Sequence, residues 1–161
     1  MDKKVLIAYF SWSGNTKYIA ELINNEIKAD MFEIIPVTAY PKNYQDTAYG
    51  VAKEQHEKNI YPEIRNTNID NYDTIFVGTP AWWYTMAPPV KTFLKENNFE
   101  NKTIIPFVTH GGGGGYTIEK DMEEIATGSK VLNPIVIYEN GNASTINEIK
   151  TWLANLQLMN T

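Results

Sequence analysis

The stretch KVLIAYFSWSGNTK, residues 4–17, changes character at its midpoint. Up to Phe10 it is a nearly unbroken apolar run, the pattern of a strand covered on both faces. Beyond Phe10 it offers the hydroxyls of Ser11, Ser13 and Thr16, the amide of Asn15 and no acid. From Asn15 to Lys28 the apolar spacing becomes helical, with Ile19, Leu22, Ile23 and Ile27 on one face. A buried strand that empties into a helix through such a turn presents unsatisfied helix N-terminal amides, which favour an anion. Capping that helix would take one polar side chain. Four of them, with Gly14 allowing close backbone approach, point to an anion cradle. The turn matches neither G-x-x-x-x-G-K-[ST], which disfavours a nucleoside triphosphate, nor G-x-G-x-x-G.

Working outward, the same strand-then-helix alternation recurs. Further strands are expected at 30–36, 72–78, 103–109 and 134–138. Pro106 fits the fourth strand badly, because a central strand needs its N–H, so a bulge or unpaired position is expected there. A loop and modest helix is read through Ala48, Val51 and Ala52. Pro88 and Pro89 suit the first turn of a helix that turns Val90, Phe93 and Leu94 inward. Another helix carries Ile118, Met122 and Ile125. Thr145 and Glu148 have capping-box spacing before a last helix through Ile149, Trp152, Leu153 and Leu156. Five strand–helix units imply an α/β fold: a doubly wound, five-stranded parallel sheet of order 2-1-3-4-5. A single domain is expected over 1–161. In that order ligands bind at the switch point, outside the carboxyl ends of strands 1 and 3.

Three loops leave that edge: SWSGNT (11–16), TPAWWYTMAPP (79–89) and THGGGGGYT (109–117). Trp82, Trp83 and Tyr84 are adjacent and cannot all be core, so at least one is expected to form a platform for a flat ring. Gly111–Gly115 suits backbone that passes close to something flat, or that moves. HGGG also resembles an esterase loop, but G-x-S-x-G is absent. There is no cysteine, which excludes disulfides, thiolate catalysis and cysteine-held clusters. No metal site is expected. A net charge of −5, without a basic run, argues against nucleic acid and membrane surfaces. No apolar run reaches membrane-spanning length, and a strand entered at Lys4 leaves no room for a signal peptide, so a cytoplasmic location is expected.

Strand–SWSGNT–helix resembles the phosphate loop of the flavodoxin family, written [ST]-x-[ST]-G-N-T, and the GTPAWWYTMAPPVKTFL and THGGGG stretches resemble the flavin loops of one of its subgroups. The resemblance covers the whole chain. It implies one non-covalent FMN. Ser11, Ser13, Gly14, Asn15 and Thr16 would hold the phosphate. Pro80, Ala81, Trp82 and Trp83 would line the ring, with Thr109, His110, Gly111 and Gly112 opposite; Trp12 and Tyr84 of the same loops are counted with them. No catalytic residue is implied. Two activities fit: an electron carrier docking redox partner proteins, or a small NAD(P)H:quinone-type oxidoreductase with a small acceptor, either as monomer or dimer. Members often carry glycine beside the tryptophan. Here Trp83 and Tyr84 follow Trp82, which makes positive φ at that turn costly.

Overall fold

The computed structural model describes residues 4–158. Its central ladder is β1 (Val5–Tyr9), β3 (Thr74–Trp82) and β5 (Thr103–His110), all parallel, with β2 (Asp30–Glu33) outside β1. Beyond β5 lie two short pieces, β6 (Lys130–Val131) and β7 (Ile135–Tyr138), each paired with β5. The order is therefore the expected 2-1-3-4-5, with its fifth strand in two parts. The strands read as continuous apolar runs because both faces are covered. On one side Leu6, Ala8, Ile75, Val77, Ile104 and Val108 pack under α4 (Pro88–Glu96) and α5 (Ile118–Ile125). On the other, Ile7, Tyr9, Phe76, Ile105 and Phe107 pack under α1 (Asn15–Ile27) and α6 (Thr145–Asn155).

The fifth strand breaks where Pro106 requires it. Thr103 donates its N–H to Asp73 of the β3 side, while Ile104 and His110 accept from Leu132 and Glu139 on the other side. Alternation along the strand turns the Pro106 nitrogen outward too, towards residues 132–134. There the register slips by one residue, from Ile104↔Val131 to Phe107↔Ile135, so no ladder bond is asked of the proline.

Several boundaries differ from expectation. β2 ends at Glu33, and Pro36 instead bridges Ile64. The 40–59 segment holds α2 (Tyr44–Asp46), a π-helical turn (Thr47–Val51) and α3 (Ala52–Glu57). β3 runs four residues past the expected Gly78 and returns as β4 (Thr85–Met86), so part of the aromatic loop is strand. The Thr145–Glu148 capping box does not form. Ser144 is the cap residue and bonds Glu148, while buried Thr145 turns its hydroxyl back to the Asn142 N–H.

Gly78 sets the spacing of the central ladder. It lies between Tyr9 and Phe107 in register, and a Cβ there would sit 2.2 Å from the Phe107 ring. The approach needs a missing side chain, not an unusual φ. Gly78→Ala should lose about 1–3 kcal/mol through overpacking, seen as a lower urea midpoint at unchanged m-value. An unchanged midpoint would mean that Phe107 moves freely.

Candidate functional site

Because β1, β3 and β5 are parallel, all three loops open on one edge, and they surround a cavity of about 500 Å³. That is within the range of small-molecule and cofactor pockets. Trp12, Ser13 and Asn15 line it from the first loop, Pro80 to Tyr84 from the second, and Thr109, His110 and Gly111 from the third. Ser11, Gly14, Thr16 and Gly112 do not line it. Each has a structural task. Gly14 sits at φ 100°, a left-handed conformation that glycine tolerates, and donates its N–H to Ser11 Oγ at 3.2 Å. Thr16 is buried and shares a 2.8 Å hydroxyl–hydroxyl bond with buried Thr109, which ties the first loop to the third. No side chain caps α1, so its first-turn amides are left without that partner.

The aromatic run divides by role. Trp82 turns inward and meets Phe10, Tyr40 and Trp12 edge-to-face, at ring distances of 5.4, 5.2 and 6.5 Å. Trp83 and Tyr84 form the two-residue turn of the β3–β4 hairpin, with φ of 49° and 70°. The turn takes positive φ despite its cost to non-glycine residues. A two-residue hairpin matched to strand twist requires it, and side-chain anchors hold the turn. Trp83 Nε1 donates to Ala48 O at 2.6 Å, and the Tyr84 ring meets Tyr116 edge-to-face at 5.3 Å.

The glycine run is folded around a histidine. His110 Nδ1 accepts the N–H groups of Gly112 and Gly114, both at 3.0 Å. Nδ1 is engaged as an acceptor by both bonds, which leaves Nε2 as the ring nitrogen turned to other partners. Gly112 and Gly114 lie at φ 135° and 83°, and the Tyr116 hydroxyl covers Gly113 where a Cβ would be. The run is thus built for a compact shape.

The sequence reading missed the fourth wall. Tyr44, Thr47, Ala48, Tyr49 and Ala52 line the cavity from the 44–52 segment, together with Tyr116 and Glu139. The tyrosine-rich, polar composition of 40–59 was the available signal. Of the lining residues Glu139 alone is acidic. Tyr40 behind this wall is held well above the usual phenol range by burial, a shift its bond to Gln55 opposes, so it stays protonated.

A parallel, doubly wound sheet thus places an uncapped helix N-terminus beside a ring-lined cavity at its switch point, an arrangement suited to an anion next to a flat ring. The chain belongs to the flavodoxin family, whose model matches residues 4–156. It is 32% identical to a flavoprotein from Lactobacillus acidophilus NCFM solved in complex with FMN, over 94% of this chain and 99% of that one, with a TM-score of 0.72. A protein from Bacteroides uniformis ATCC 8492 shares the fold at 24% identity and a TM-score of 0.80, over 96% and 99% of the two chains. No described helix is long and apolar enough to cross a membrane.

The division of the tryptophans is testable. Trp82→Ala should cost about 2–4 kcal/mol, because it empties a half-buried aromatic cluster. Trp83→Ala should cost less than about 1 kcal/mol globally and loosen the hairpin turn instead. Equal losses in urea titrations of the two variants would contradict that division.

Proposed function

We propose that this single flavodoxin-like domain binds one FMN in the cavity and works as an electron-transfer protein. The observation that carries the reading is the convergence, on one sheet edge, of the uncapped α1 N-terminus and the ring-lined cavity. The residues fit the two ends of the molecule. Free amides at the start of α1, with the Ser13 hydroxyl and Asn15 amide beside them, suit a phosphate. Ser11 and Thr16, engaged with Gly14 and Thr109, act by shaping this cradle. Pro80, Ala81 and Trp82–Tyr84 on one side, with Thr109, His110 and Gly111 on the other, suit a flat ring. When bound, FMN would supply reversible one- and two-electron chemistry. The chain's part is to orient the ring, exclude water from its inner edge and offer His110, whose Nδ1 is held by the glycine run and whose Nε2 is left to donate.

A second reading is favoured by the rim. Tyr44, Tyr49 and Tyr84 of the lining are each more than half exposed, and Tyr116 is 47% exposed. A carrier that docks cationic partners would present carboxylates there. A rim of rings suits a planar acceptor reduced at the expense of NAD(P)H. Arg65 is the sole arginine of the chain, and no cluster for a nucleotide 2′-phosphate accompanies it, so NADH is the donor to test first. Anaerobic mixing of the FMN-loaded protein with NADH should bleach the flavin within seconds if the chain is an oxidoreductase. Bleaching only by added reductase favours the carrier.

FMN should bind one to one, and riboflavin at least about tenfold more weakly, since a hydrogen bond to a charged group contributes roughly 1.5–3 kcal/mol. Ser13→Ala should weaken FMN by about tenfold and leave riboflavin unchanged. Fluorescence titration reads both; equal affinities for the two flavins would sink the phosphate assignment.

A further inference from the structure

We propose that Asp121, a residue of α5 outside the cavity lining, is a positioning residue that fixes the gap between the second and third loops. A single carboxylate oxygen, Oδ2, accepts hydrogen bonds from the hydroxyls of Thr85 and Thr117, the latter at 2.8 Å. These two threonines are far apart in sequence but equivalent in position. Thr85 follows Tyr84 at the end of the hairpin turn, and Thr117 follows Tyr116 at the end of the glycine run. The Tyr84 and Tyr116 rings meet edge-to-face at 5.3 Å. The loops are therefore joined twice, by rings on the surface and by the carboxylate one residue further in.

The chemistry of the junction favours an acid. Asp121 lies in the first turn of α5, where a negative charge meets the helix dipole. Thr117, the cap residue, makes no capping bond of its own and spends its hydroxyl on Asp121. Thr85 is 6% exposed, so without Asp121 its hydroxyl would lose its partner in a site closed to water. Lys91 of α4 supplies the nearby cation: its own burial lowers its pKa, and the charge of Asp121 opposes that shift. One side chain thus joins β4 to the residue that opens α5. Its relevance to the ring rests on the FMN reading; the coupling of the two loops does not.

The test uses the full chain with Asp121→Ala, Asp121→Asn and Thr85→Val. Amide hydrogen exchange is read first without cofactor. Asp121→Ala should accelerate exchange about tenfold in both Trp83–Met86 and Gly111–Tyr116, with β1 and β3 core amides changed less than twofold. Asp121→Asn should restore most of the protection, because its amide oxygen still accepts both hydroxyls. FMN affinity should follow, about tenfold weaker in Asp121→Ala and within threefold of wild type in Asp121→Asn. Thr85→Val should loosen the hairpin while Asp121 still holds Thr117. Acceleration spread over the whole chain, or confined to α5, would overturn the proposal, as would Asn behaving like Ala. If wild type binds no FMN, the cofactor reading fails alone, and the exchange pattern still decides the role of Asp121.

Discussion

The pairing of β3 with β1 on one side and β5 on the other is the constraint from which the site follows. Three parallel strands must all deliver their chains to the same edge, so their loops meet whatever the loops contain. The row Tyr9–Gly78–Phe107 fixes how level those ends are. Gly78 lets the Phe107 ring lie across β3, and Phe10 donates its N–H to the Gly78 carbonyl as the chain leaves for the first loop. The hydroxyl pair of Thr16 and Thr109 then closes the edge above the core. Each step is local, and each depends on the register below it.

Much of this was legible because it rests on patterns with a single physical solution. Apolar runs bounded by turns gave five strands, and the helical spacing of Ile19 and Ile23 gave α1 its buried face. Pro88 and Pro89 open α4 as their missing N–H groups allow. Pro106 even marked the place where the outer strand divides. Other features were hidden because tertiary contacts decide them. Nothing local marks Trp83–Tyr84 as a hairpin turn, since Asn-Gly is the usual signal for those dihedrals. Their conformation is held by Ala48, Tyr116 and, through Thr85, Asp121. The 44–52 segment was legible as a modest helix but not as a wall of the site, for its apolar spacing is broken by a π-helical turn.

Strain and rigidity are concentrated at the same place. Two bulky residues in the left-handed region cost on the order of 1–3 kcal/mol each, and the His110-centred glycine run surrenders most of its freedom. Both segments border the cavity; His110 and Tyr116 of the lining fasten the glycine run, and Ala48, Tyr116 and, through Thr85, Asp121 fasten the hairpin. These bonds within the chain fix the shape of two walls of the cavity.

The divided outer strand has a consequence for how copies of the chain meet one another. Sheet edges are templates for another chain's backbone, and the hazard grows with the length of unbroken ladder. Here one edge is cut into two residues and four, out of register with each other. The opposite edge is the four-residue β2, whose Asp30 and Glu33 are exposed. Val136 and Tyr138 can therefore stay exposed on β7 without offering a growing strand a straight run to extend. Resistance to edge-to-edge polymerisation comes from the geometry of the break, at an edge that carries little charge of its own.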